Sequence, residues 1–241
     1  MKLYVVGTGP GAASEITPRA RAAIESCEVV AGYSLYIDLI RELLQGKEII
    51  STGMTSEAER CNAAIQAALD GKSVCVVSGG DAGVFGMAGL VLELAAPYPG
   101  LEVEVIPGVT AACSASAVLG APLTHDFAAI SLSDRLTDWE VIEKRLYSAA
   151  QADFVICLYN PASKARKHHL KRACEIIMEY RSPETPCGVV RNIGRDGQYS
   201  RITSVDKLAG YQADMFTTII IGSSATKVVN GRLITPRGYQ V

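Results

Sequence analysis

The stretch Val77-Ser78-Gly79-Gly80-Asp81-Ala82-Gly83-Val84-Phe85-Gly86 constrains the fold of this chain more than any other. An uninterrupted apolar run, Val74-Cys75-Val76-Val77, stops in it, and apolar residues resume at helical spacing over 87–94. A strand thus gives way to a helix through four glycines and one aspartate. Glycines there let the main chain take positive φ and pass close to another backbone or to a ligand. Successive N–H groups of such a turn can cradle an anion. Asp81 can orient the turn or accept from a ligand's hydroxyl or amine. On this stretch alone, a plain strand-to-helix turn stays open.

The rest of the chain supplies the frame. Residues 3–6 read as a strand and Gly7-Thr8-Gly9-Pro10-Gly11 as a loop. Thr17 caps a helix with Pro18 at its first position and an apolar face of Ala20, Ala23, Ile24 and Cys27. Residues 29–31 read as a strand and 35–44 as a helix. Ser56-x-x-Glu59 reads as a capping box opening a helix that stops near Gly71. Beyond the glycine–aspartate turn come a helix to residue 96, a strand over 103–106 and, past Pro107-Gly108, a helix over 110–119. This alternation predicts a mostly parallel sheet. A second unit begins near Gly120-Ala121-Pro122. Its strands are 127–132, 154–159, 189–190, 200–203 and 218–221. Its helices are 168–180 and one running to 150 from a second box, Thr137-x-x-Glu140. The short link 195–197 implies a hairpin, hence a mixed sheet. The expected architecture is α/β in two lobes, 1–120 and 121–241, with a ligand cleft between them.

Composition narrows the function classes. The 241 residues carry a formal net charge of −2, which argues against a general binder of nucleic acid or anionic membrane. The span 105–124 is uncharged and of membrane length, but it holds Pro107, Gly108, Gly120 and Pro122 and reads as buried loop and helix. Seven cysteines show no C-x-x-C pairing, so reduced thiols in a cytoplasmic protein are expected, with Cys75 and Cys113 as packing residues. The chain opens on a strand rather than a leader. His168 and His169 have no third ligand at suitable spacing, so both are expected to face solvent and no metal is expected.

Gly7-x-Gly9-x-x-Ala12 formally satisfies the dinucleotide fingerprint. Pro10 occupies its middle, however, and the helix signal comes only at Thr17-Pro18. The acidic residue expected after the second strand is replaced by Gly32. A nicotinamide oxidoreductase is therefore the weaker alternative.

Taken in order, these motifs resemble the tetrapyrrole (corrin and porphyrin) methyltransferase family. The residues are Gly7-Thr8-Gly9-Pro10-Gly11, Gly80-Asp81-Ala82-Gly83-Val84-Phe85-Gly86, Pro107-Gly108-Val109-Thr110-Ala111 and Gly120-Ala121-Pro122-Leu123-Thr124-His125. Within the family, Ile130-Ser131-Leu132-Ser133-Asp134 and Tyr159-Asn160-Pro161-Ala162-Ser163 resemble the branch that methylates C-17 and contracts the macrocycle in cobalamin synthesis. Sister branches usually carry Pro at the position of Ala82 and Met at that of Asn160. The resemblance implies a two-lobed fold, S-adenosylmethionine held between the lobes, a tetrapyrrole substrate and a homodimer. It places Pro10, Gly79, Gly80, Asp81, Val84, Thr110, Ala111, Asn160, Ile193 and Thr217 at the cofactor. Gly9 and Gly11 would line the substrate trough.

Ring contraction needs a proton donor or acceptor, and His125, Asp126, Ser131, Ser133, Asp134 and Tyr159 are the polar candidates. His125 ranks first because an imidazole can serve either role near neutral pH. A polycarboxylate substrate also calls for local basic groups, for which Arg135, Lys164, Arg166, Lys167, Arg191 and Arg195 are candidates. Two further alternatives remain: a sister enzyme acting on another ring carbon, and a non-catalytic tetrapyrrole carrier.

Overall fold

The computed structural model describes residues 1–53, 55–163 and 166–240. It divides into two compact units, Met1–Ala111 and Ala112–Val241.

In the first unit, strands and helices alternate. Their order is β1 (Lys2–Gly7), α1 (Pro18–Ser26), β2 (Val29–Tyr33), α2 (Ser34–Leu39), β3 (Glu48–Thr52), α3 (Glu57–Leu69), β4 (Val74–Ser78), α4 (Ala88–Ala95) and β5 (Glu102–Ile106). The sheet runs β3-β2-β4-β1-β5 and every pairing is parallel. Helices on both faces bury it: β4 is fully buried, and Leu3, Val5, Val6, Val30 and Val76 are sealed from solvent. Because β4 lies between β2 and β1, the chain reverses direction across the sheet there. That is where open α/β sheets bind ligands, at the carboxyl ends of their strands.

α5 (Ala111–Leu119) leads into the second unit. There follow β6 (Gly120–Ala121), β7 (Phe127–Ser131), α6 (Trp139–Gln151), β8 (Val155–Tyr159), α7 (His169–Met178), β9 (Pro186–Arg191), β10 (Tyr199–Ser204), α8 (Val205–Leu208), β11 (Thr217–Ile221), β12 (Lys227–Val229) and β13 (Arg232–Ile234). The main sheet runs β10-β9-β11-β8-β7, with β7 and β8 parallel and the other neighbours antiparallel, a mixed sheet as expected. Ile142 and Leu146 of α6 and Ile176 and Ile177 of α7 pack on Ile156, Leu158, Val189, Ile219 and Ile221.

Local chemistry explains the agreements and the departures. Thr17 accepts a hydrogen bond from the Ala20 N–H at 3.1 Å, and Pro18 opens α1. Neither expected capping box forms. Ser56 sits at φ −108°, ψ 34°, outside the extended region a side-chain cap needs. At α6 the cap is Asp138, one residue beyond Thr137, so Glu140 falls out of register. The helix expected over 35–44 breaks at Ile40, where φ is −115°, and resumes as a 3₁₀ turn, Arg41–Leu43. Strand β3 was not anticipated. The small sheet β12-β13-β6 was missed as well, although Asn230 and Gly231, both at positive φ, form the turn that Asn-Gly favours in a hairpin.

Six cysteines are buried as expected, but Cys113, on α5, is exposed. Burial pushes the Cys157 and Cys174 thiols up to about 12 and raises those of Cys187 and Cys61. The native protein should therefore react with a disulfide reagent near pH 8 at one thiol, Cys113, and at all seven once unfolded. Mass mapping of the modified cysteine, and its loss in Cys113→Ser, checks this.

Candidate functional site

Three loops leave the carboxyl ends of the adjacent strands β4, β1 and β5, and they lock together through main chain. Thr8 donates to the Ser78 carbonyl through both N–H (2.8 Å) and hydroxyl (3.0 Å). Gly9 and Gly80 then exchange both main-chain hydrogen bonds, at 3.0 and 2.7 Å, as an antiparallel bridge. Both have positive φ, +76° and +71°. The third loop presses in from the other side. A Cβ on Gly108 would lie 2.2 Å from the Gly80 oxygen, and one on Gly7 would lie 2.6 Å from the Gly108 nitrogen. No side chain fits at this junction.

Asp81 ties the same loops electrostatically. Its Oδ1 accepts from the N–H groups of Gly83 (2.8 Å) and Val84 (3.1 Å), and its Oδ2 from that of Gly108 (2.9 Å). Of the two roles open to this aspartate in the sequence, the structure displays the loop-orienting one. The N–H groups of Gly83 and Val84 thus cradle the protein's own carboxylate. Gly79 has a separate reason to be glycine: the Tyr36 ring lies 2.4 Å from where its Cβ would be. Of the expected cofactor residues, Thr110 and Ala111 lie within 4 Å of the position a Cβ on Gly80 would take, and Pro10 is buried beside Gly9. The three atoms nearest to that Cβ position are all main chain. Such a lining suits a zwitterionic amino-acid group, which needs several N–H and C=O partners and little else.

In the second unit, strand register gathers a second set at one end of the sheet. Ser131 pairs with Tyr159, and Thr217 pairs with Arg191. Asn160, at φ +50°, donates to the Ser131 hydroxyl at 3.0 Å. Arg166 Nη1 donates to the Ser133 hydroxyl at 2.7 Å and lies 3.7 Å from Asp134 Oδ1. The Tyr159 phenol oxygen accepts from the Ala112 N–H at 2.9 Å, fixing the start of α5. Thr217 donates to Asp214 Oδ1 at 2.8 Å, and Arg191 Nε to Asp214 Oδ2 at 2.8 Å. Ile193 is buried and Arg135 exposed. Lys164 lies outside the described residues.

Partial burial of Asp214 raises its carboxyl, but hydrogen bonds from Arg191, Thr217 and the Phe216 N–H outweigh that and leave it below the usual carboxylate range. Its contribution to stability is complete above the unfolded value of about 3.9 and is lost as pH falls through the lower folded value.

Two expected catalytic residues lie elsewhere. His125 and Asp126 precede β7, at the opposite end of the sheet from Ser131 and Tyr159. The His125 Nδ1 accepts its neighbour's N–H at 2.9 Å, and both residues are exposed, lining a hollow of about 330 Å³ with Asp153, Thr235 and Arg237. Parallel strands present their carboxyl ends together, and residues one and two positions ahead of a strand lie at its other end. His169, expected to face solvent, is instead part of the cluster. Its Nδ1 lies 3.0 Å from the Leu132 carbonyl, its Nε2 3.6 Å from Asp134 Oδ2, and its ring stacks on Trp139 at 4.0 Å. Tyr36 and Asp214 were also overlooked. Tyr36 could have been suspected from the aromatic pair Tyr33 and Tyr36, three residues apart where β2 gives way to α2. Nothing local flags Asp214.

Comparison with known proteins gives the family. The family model of tetrapyrrole (corrin/porphyrin) methylases matches residues 2–209. The probable cobalt-factor III C(17)-methyltransferase of Salmonella typhimurium is 47% identical over 98% of this chain and 99% of its own. The cobalt-factor III methyltransferase of Priestia megaterium is also 47% identical, over 99% of this chain, which spans only 45% of that longer protein. The precorrin-3B C(17)-methyltransferase of Sinorhizobium sp is 41% identical over 98% of this chain and 96% of its own. The crystal structure of the methyltransferase CobJ superposes with a TM-score of 0.90 at 36% identity, covering 97% of this chain and 99% of that one.

Two outcomes follow from the loops and from Asp214. Asp81→Asn removes a charged acceptor of three N–H groups and should cost about 1.5–3 kcal/mol. Calorimetry should show Tm lower by roughly 3–12 °C. Asp214→Asn should flatten the loss of stability below about pH 4 that the native chain shows in acid–urea titrations. An unchanged acid limb would remove Asp214 from that transition.

Proposed function

The chain belongs to the tetrapyrrole (corrin/porphyrin) methylases, and from that premise we propose that it methylates C-17 of a corrinoid precursor, with ring contraction, using S-adenosylmethionine. The observation that carries this reading is the side-chain-free junction of Gly7, Gly9, Gly80 and Gly108 at the carboxyl ends of three adjacent parallel strands. It bears the motifs on which the resemblance rests. The substrate is cobalt-factor III or its metal-free counterpart precorrin-3B. The higher identity to the relatives named for the cobalt form, 47% against 41%, favours the first. A homodimer in the cytoplasm completes the reading, as the family resemblance implies.

When bound, the donor supplies an electrophilic methyl group. The chain's own part is then mostly positional. Main chain locked by reciprocal hydrogen bonds and by Asp81 needs little reorganisation to receive an amino-acid end. Holding reactants at near-attack geometry is worth up to about 7–11 kcal/mol in ideal intramolecular models. At the strand ends of the second unit, Ser131, Asn160 and Arg166 offer polar contacts to substrate edges. Arg166, and Arg191 beyond its bond to Asp214, suit the carboxylates of a tetrapyrrole.

Incubation with methyl-labelled S-adenosylmethionine and either substrate tests the reading. One label per product molecule, with the absorbance of a ring-contracted corrinoid, is expected. Label on the uncontracted macrocycle would point to a sister activity. Calorimetric binding of NAD but not of S-adenosylmethionine would overturn the proposal.

A further inference from the structure

His169 is the first residue of α7 and Trp139 the first of α6, and their rings stack at 4.0 Å with 25° between planes. The stack fixes the imidazole plane. The Leu132 carbonyl 3.0 Å from Nδ1 can only accept, so Nδ1 must carry a hydrogen. The neutral ring therefore turns its lone pair out through Nε2. That nitrogen lies 3.6 Å from Asp134 Oδ2, beyond hydrogen-bond distance, and the side chain is 18% exposed, enough for a small contact from outside. The carboxylate stands beside the start of a helix and 3.7 Å from Arg166.

Tautomer, orientation and a neighbouring carboxylate are what a positioned base requires. We propose that His169 is the proton-transfer residue of the site at this end of the sheet, a role the sequence pointed to His125 for. The inference rests on the methyltransferase reading above. In the step, Nε2 takes a proton from a hydroxyl or acidic C–H of the macrocycle. The substrate keeps the electron pair, the ring becomes imidazolium with its new N–H toward the substrate, and the Asp134 carboxylate nearby offsets its charge. The reverse transfer returns the proton to a product atom, so no redox partner is needed. The charged and titratable groups around the ring are Asp134 on the strand-end turn, Arg166, Lys167 and His168 ahead of α7, and Arg172, which pairs with Glu143 of α6 at 2.6 Å.

The test uses His169→Asn, whose amide can keep the bond to Leu132 but cannot exchange a proton. Turnover should fall about 10²–10⁴-fold with KM within roughly twofold, and one limb of the pH–rate profile should vanish. Trp139 is the chain's single tryptophan, so its emission reports the ring stacked on it. The native protein should show a pH step in that emission, and His169→Asn should lack it while keeping native circular dichroism. Native-like turnover in the variant, or a step that persists in it, overturns the inference and leaves the methyltransferase reading intact. Absence of labelled methyl transfer by the native chain overturns both.

Discussion

The reciprocal hydrogen bonds between Gly9 and Gly80 are the constraint on which the first unit's functional end depends. They hold two loops from neighbouring strands at backbone contact distance. Backbone packing this close excludes a Cβ at Gly7 and at Gly80's neighbour Gly108. A surface built this way has a shape set by main chain rather than by rotamers. It therefore loses little entropy when a ligand settles on it, which is the general advantage of a preorganised site.

Asp81 supplies the charge that makes this arrangement stable. Three N–H groups pointing at one locus would repel one another and remain unsatisfied without it. By satisfying Gly83, Val84 and Gly108 the carboxylate joins the β4 and β5 loops, while the Gly9–Gly80 bridge joins β4 to β1. Glycine-rich turns of this kind are often taken as open anion nests. Here the nest is filled from within by the Asp81 carboxylate.

The second unit solves a different problem with polar side chains. Parallel β7 and β8 end side by side, and the loops that follow bring Ser131, Ser133, Asp134, Asn160, Arg166 and His169 into one hydrogen-bonded and ion-paired set. The hydrophobic layer beneath, with Leu132 fully buried, anchors the turn whose carbonyl orients the imidazole. The orientation of the imidazole thus follows from the core packing of the residue whose carbonyl it meets.

Much of this was legible in the residues alone. Strand–helix alternation over the first unit, the hairpin after β9 and the link between the glycine loops and a methyltransferase all come from local pattern, because turn glycines, proline at a helix start and apolar periodicity act over a few residues. The capping boxes failed for two reasons: packing gives Ser56 a φ and ψ unsuited to a side-chain cap, and α6 starts one residue later than the box requires, with Asp138 at its cap. The site was legible as a list of residue types but not as a grouping. Only strand register decided that Ser131, Tyr159 and Thr217 share an end and that His125 does not. Only packing of two helix starts turned His169 from an apparent surface residue into an oriented imidazole, since contacts between residues 30 or more apart leave no trace in local sequence.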